Sequence, residues 1–216
     1  EIRRLKDRAV VAFSFPLDEG TGNTVYDDFD ATRQGAISGA TWHGNTALDQ
    51  KDNSLYFDGV NDYVVVSSGS AFRTDGTNGF TLSAWIKADG SFPSGHDMVV
   101  CKGNTYLTVY NGKLGFKTIT DPPANTQRWC AGTTTLSANT WYHVAAVYDA
   151  SGNMRVYLNG AQDGGTAGPY PNPGNETSDI RMGVFGSYFK GIIGNVRVYK
   201  RALTGDEISL LYQYRE

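Results

Sequence analysis

Phe80–Ala88 reads FTLSAWIKA, and its residues alternate in character. Phe80, Leu82, Ala84 and Ile86 fall on one side of an extended chain, and Thr81, Ser83, Trp85 and Lys87 on the other. That is the period of a half-buried β-strand. The pattern recurs in YLTVYNGKLGF, Tyr106–Phe116, where Leu107, Val109, Leu114 and Phe116 share a face across Asn111-Gly112. Asn-Gly suits a tight hairpin because both residues accept positive φ. MRVYLNGAQ, Met154–Gln162, repeats the signal at Asn159-Gly160. Further strands are expected at AVVAFSF, SLYF, DYVVV, DMVVC, QRWCAG, TWYHVAAVYD, DIRMGVF and GIIGNVRVYK. Many short strands with turn residues between them predict an all-β, two-sheet antiparallel sandwich.

A short helix is expected to close the chain. In TGDEISLLYQY, Thr204 and Glu207 have the spacing of a capping box, and Leu203 can staple onto Ile208. The opening EIRRLKDR has helical character, so residues 1–9 are read as a lead-in or truncated tether and residues 10–216 as one domain. DGGTAGPYPNPGNETSD, Asp163–Asp179, reads as a long exposed loop, with Asn175 in a glycosylation sequon.

The 216 residues carry a formal charge of −3, and Lys and Arg cluster only at the N-terminus, which argues against nucleic-acid binding. No apolar run is long enough to cross a bilayer, so no membrane insertion by this segment is expected. Twenty-six glycines and thirteen tyrosines fit a turn-rich extracellular or cell-surface β protein. Cys101 and Cys130 each fall near a predicted strand end. A cross-strand disulfide between them would contribute about 3 kcal/mol; the alternative is two small buried thiols.

The ordered set FPLDEGTGNTVYD, GATW, LYFDGVNDYVVV, FTLSAWIKA, NTWYHVAAVYD, MRVYLNG and GIIGNVRVYKRALTGDEISLLY resembles the laminin G-like, concanavalin A-like jelly-roll domains from about residue 10 onward. The resemblance implies two curved antiparallel sheets with a concave face and rim loops. It leaves function open among carbohydrate binding, adhesion and, in related families, glycoside cleavage. It also implies one structural calcium, held between the first loop, at Asp18 and Asn23, and the last long strand, at Asn195. Relatives often carry aspartate where Asn195 stands, so a carboxylate is missing from that set.

LYFDGVNDYVVV, Leu55–Val66, poses a separate question. Asp58, Gly59, Asn61 and Asp62 make a turn by themselves, since Gly supplies positive φ and Asp bonds its own backbone. The same oxygens at Asp58 and Asp62 are also a calcium candidate. For a glycan, exposed rings that stack on sugar CH faces are sought. Trp85, Tyr106, Trp129, Tyr170 and Tyr188 are the candidates, with Arg181, Arg128 and His96 as hydrogen-bonding partners. No strand holds closely spaced acids of the ExDxxE kind, no GxSxG occurs, and His43, His96 and His143 lack metal-ligand spacing. The expectation is a non-catalytic recognition module for a polysaccharide or glycan. The alternative is a structural or adhesive domain that contacts other surface proteins.

Overall fold

The structure, a computed structural model, describes residues 7, 10–44, 54–67, 78–90, 92, 95–119, 126–171, 173 and 178–215. Most of the lead-in, Asn175 of the sequon and Glu176 lie outside the described residues. Among the described residues two antiparallel sheets form, each of eight strands. The first comprises β1 (Val11–Phe15), β4 (Thr41–His43), β5 (Ser54–Asp58), β7 (Phe80–Ala88), β12 (Tyr142–Tyr148), β13 (Met154–Leu158), β14 (Ala161–Gln162) and β16 (Lys190–Tyr199). Its order is β14-β13-β12-β7-β16-β5-β4, and β1 also pairs with β16. The second comprises β2 (Thr24–Asp27), β3 (Asp30–Ser38), β6 (Tyr63–Val66), β8 (His96–Lys102), β9 (Thr105–Tyr110), β10 (Lys113–Ile119), β11 (Gln127–Thr135) and β15 (Ile180–Met182). Its order is β11-β10-β9-β8-β15-β6-β3-β2. This is the expected concanavalin A-like jelly-roll sandwich.

The sequence alternation becomes the sandwich interior. Phe80, Leu82, Ala84 and Ile86 of β7 meet Leu107, Val109, Leu114 and Phe116 of β9 and β10 in one buried cluster. Phe80 stacks on Tyr148, with ring centroids 5.4 Å apart, and meets Phe116 edge-on at 6.0 Å. The two Asn-Gly hairpins form as expected, with φ of 48° and 74° at Asn111-Gly112 and 50° and 84° at Asn159-Gly160. The turn after β5 crosses from one sheet to the other, because β5 and β6 lie in different sheets.

The C-terminal helix, Gly205–Gln213, begins with the capping box: Thr204 accepts from the Glu207 amide, and Glu207 accepts from the Thr204 amide. Glu207 also takes both terminal nitrogens of Arg201 at 2.6 Å. Leu203, Ile208 and Leu211 lie buried with Ala145, Tyr157 and Tyr199 on the outer face of the first sheet. That packing corrects the reading of Trp85. It does point outward from β7, but it is 5% exposed, stacked on Tyr212 of the helix at 5.7 Å and edge-on to His143 at 5.4 Å.

The disulfide expectation is also corrected: both cysteines are buried free thiols. The register sets Cys101 opposite Tyr106, Tyr106 opposite Lys117, and Lys117 opposite Trp129, while Cys130 faces Phe116. The two sulfurs therefore sit on opposite faces of one sheet. They are three strand spacings apart, about 14 Å, against the roughly 4.4–6.8 Å between Cα atoms that a bridge needs.

An aromatic groove on the second sheet as the candidate functional site

Directly opposed residues of antiparallel strands share a face, so one outward row runs Arg181, Cys101, Tyr106, Lys117, Trp129 across β15, β8, β9, β10 and β11. His96 and Tyr110 oppose each other on the same side at the end of β8 and β9. Between these residues lies a hollow of about 200 Å3, lined by His96, Tyr110, Lys117, Gln127, Arg128 and Trp129. A second hollow of about 310 Å3 shares His96 and Lys117 and adds Met98, Tyr106, Ile119, Phe185 and Ser187 among its walls. Together they make one groove along the sheet.

Three rings fix its shape. His96 lies 4.5 Å from Tyr110 between centroids, and Trp129 stands nearly perpendicular to both, 5.6 Å from each. Trp129 settles against β10 because Gly115 has no side chain: a Cβ there would come within 2.2 Å of the indole. Tyr110 is 40% exposed, so its ring is available to a ligand. Farther along, Tyr106 forms a floor rather than an exposed platform, since it is only 2% exposed. Phe185 tilts over it at 4.7 Å, and the Lys117 ammonium lies 5.7 Å from its ring centre.

Burial, and then the Lys117 charge, push the His96 imidazole below its ordinary pKa, which keeps it neutral near pH 7. Its Nδ1 is buried without a hydrogen-bond partner, and the Ser187 hydroxyl donates to its backbone carbonyl. The groove thus offers ring faces, one ammonium, one guanidinium, one amide and a neutral imidazole. Among the described residues no carboxylate lines either hollow.

Trp129, Tyr106, His96 and Arg128 are the expected residues that the fold brings here. Tyr170 is half-buried: its carbonyl accepts the Tyr148 hydroxyl, and the Arg128 guanidinium lies over its ring at 5.3 Å. Tyr188 is half-buried and pairs with Val184 in a small bridge outside both hollows. Arg181 is exposed on the shared row but lines neither hollow. Tyr110, Lys117, Gln127 and Phe185 were not among the expected residues. Period two does carry a signal for two of them, since Leu107, Val109 and Phe116 facing inward puts Tyr110 and Lys117 outward.

The FDGVND stretch works as a turn. Asp58 Oδ1 accepts the Val60 amide at 2.7 Å, and Asp62 Oδ2 accepts the Asp58 amide at 2.8 Å. At the first loop Asn195 is brought close, because a bulge with φ 47° lets its amide reach the Pro16 carbonyl at 3.1 Å. Its side-chain amide, however, donates to the Arg215 carbonyl. The carbonyls of Gly22 and Asn23 accept from the Trp42 indole and the Ile37 amide. These bonds engage part of the polar set around Gly22, Asn23 and Asn195. Among the described residues no three His, Cys, Asp or Glu side chains gather to hold a metal ion. Glu19 Oε1 accepts the Tyr26 amide at 2.6 Å, and Glu207 serves the helix cap. Among the described residues no helix is long and apolar enough to cross a membrane.

The family model described as the concanavalin A-like lectin/glucanases superfamily matches residues 57–209. Comparison with the sequences of curated proteins returned no match. Among solved structures, the binding domain of Paraclostridial Mosquitocidal Protein 1 superposes with a TM-score of 0.75 at 13% identity, over 95% of this chain and 52% of that one. The botulinum neurotoxin serotype G binding domain gives 0.75 at 12%, over 95% and 51%. Domain 4 of AbnA, a GH43 extracellular arabinanase from Geobacillus stearothermophilus, in complex with arabinotriose, gives 0.69 at 17%, over 94% and 98%. The chain spans about half the length of the two toxin domains and nearly all of the arabinanase domain. At these identities the likeness is one of fold.

Proposed function

The chain belongs to the concanavalin A-like lectin/glucanases superfamily, and from that premise we propose that it is a non-catalytic carbohydrate-recognition module of an extracellular or cell-surface protein. Its ligand is a saccharide seated in the groove between β8 and β11. The observation that carries this reading is the open hollow walled by His96, Tyr110 and Trp129, with Lys117 and Gln127 beside the rings. Sugar CH faces stack on the rings, while the ammonium, the amide and the neutral imidazole pair with hydroxyls. The likeness to an arabinanase domain that is itself in complex with a trisaccharide supports the same reading. Among the described residues no carboxylate lines the groove, where glycoside cleavage would require an acid pair. Calcium performs no step.

Binding of the purified domain to a broad glycan and polysaccharide array, in calcium and again in chelator, tests this. The expected result is a selective hit in both buffers, weakened about tenfold or more by Trp129→Ala and by Tyr110→Ala. A blank array with folded protein overturns it in favour of a structural or adhesive domain that makes protein contacts. Release of reducing ends from a bound polysaccharide would overturn the non-catalytic part.

A further inference from the structure

The helix covers only one end of the first sheet's outer face. At the other end the register sets Thr41 of β4, Tyr56 of β5, Ile192 of β16 and Lys87 of β7 in one outward row. Trp141, just before β12, closes the row, with the Lys87 ammonium 5.6 Å from its ring centre. Over this row opens a hollow of about 420 Å3, which His43, Asp89 and Asn139 also wall.

We propose that this hollow is a second saccharide site, on the sheet opposite the groove, and that it takes a neutral sugar. Ile192, 4% exposed, gives it an apolar floor. Tyr56 is half-buried and held in place by its own hydroxyl, which donates to Asp89 Oδ2 at 2.8 Å. The Asp89 side chain is still 48% exposed, so its carboxylate has room to accept sugar hydroxyls. Asn139 presents its amide from a fixed turn, with φ 58° and its own N–H donating to the Ala88 carbonyl at 2.9 Å. Ring, carboxylate, amide, the Thr41 hydroxyl and apolar floor converge on one space, the combination that reads alternating CH and OH groups. Asp89 is paired with Lys190 at 3.8 Å and the Lys87 ammonium lies against the Trp141 ring, so the charges at the rim already have partners and a neutral ligand fits the hollow best.

Two sites on opposite faces of a sandwich cannot be spanned by one short saccharide, because a sheet pair about 10 Å thick lies between them. One domain would therefore bridge two glycan chains and gain avidity on a polysaccharide.

The test is an NMR titration of isotope-labelled domain with neutral gluco-, xylo-, arabino- and galacto-oligosaccharides, on wild type, Trp129→Ala, Tyr56→Ala and Asp89→Asn, each first checked for an unchanged melt. Saturable shifts at Thr41, Asp89, Asn139 and Ile192 are expected, retained in Trp129→Ala and weakened about tenfold in Tyr56→Ala and Asp89→Asn. Polysaccharides of the same sugars should be cross-linked by wild type and by neither Trp129→Ala nor Tyr56→Ala. Shifts confined to Tyr110, Lys117 and Trp129 would overturn the second site and leave the groove reading standing. Shifts confined to the Tyr56 hollow would do the reverse, and shifts at neither would overturn both.

Discussion

Asp97 on β8 is a group whose ionisation should strongly disturb this fold, and Asp97→Asn is the perturbation that shows it. The residue is 2% exposed, its Oδ2 has no hydrogen-bond partner, and burial pushes its carboxyl up to about 7. In the unfolded chain it ionises near about 3.9. Below that pH both states are protonated and folding carries no penalty. As pH rises toward and through the folded value, the unfolded state ionises freely and the folded state cannot, so stability is lost. Three pH units at about 1.4 kcal/mol each give roughly 4 kcal/mol by pH 8. His143 has the opposite sign: fully buried, its imidazole is pushed down to about 3. Its contribution is complete above the unfolded value of about 6.5 and is lost as pH falls below it. The two slopes offset each other in wild type between about pH 4 and 6.5, so the informative quantity is the difference between variant and wild type. Urea unfolding followed by tryptophan fluorescence at several pH values from 4 to 8 measures it. Asp97→Asn, whose amide does not titrate, should gain on wild type by roughly 4 kcal/mol between pH 4 and pH 8. A difference that stays flat with pH would refute the reasoning.

Trp85→Ala should cost about 3–5 kcal/mol in urea unfolding, because the indole is enclosed between β7, His143 and Tyr212, while glycan binding by the folded fraction stays unchanged. Gly115→Ala should push Trp129 out of its resting place, lowering affinity on the array by about tenfold or more with little change in the melt. Alkylation followed by mass spectrometry should find no reactive thiol in the native protein and two in urea; the Cys101 thiol is buried and pushed up to about 12, and a reducing agent should leave the melting temperature unchanged.

The parts of the fold that were legible in the sequence are those fixed by local pattern. β7, β9 and β10 announce themselves by alternation, the two hairpins by Asn-Gly, and the helix by its capping box. β2, β3 and β4 do not. β3 reads DATRQGAIS, with mostly polar side chains, and it becomes a strand because β2 and β6 pair with it on either side. That information lies in distant backbone rather than in local propensity. Trp85 shows the same limit from another direction: alternation correctly assigned it to the outward face, but the helix that covers that face comes from the far end of the chain. The disulfide expectation failed because nothing local reveals that β9 and β10 stand between the two cysteines. Of the groove, Trp129, Tyr106, His96 and Arg128 were read from the sequence as candidate glycan contacts. Tyr110 and Lys117 were overlooked although the inward pattern of Leu107, Val109 and Phe116 already placed them outward.

The alternation also explains how the strand-borne rings of the groove are held in place. Four wall residues on β9, β10 and β11 are flanked in sequence by a residue locked in the core: Tyr106 by Leu107, Tyr110 by Val109, Lys117 by Phe116 and Trp129 by Cys130. The backbone that carries the rings is therefore held from below by the sandwich interior, and Trp129 is held again from the side by Gly115. Rings fixed before a ligand arrives add little ordering entropy to the cost of binding. A flat sheet face still encloses a ligand on one side only, so it forgoes the burial that a deep cleft provides. Such a surface suits repeated, weak engagement of a long polymer better than tight capture of a single sugar, and linked or two-sided copies of the site are how that weakness is offset.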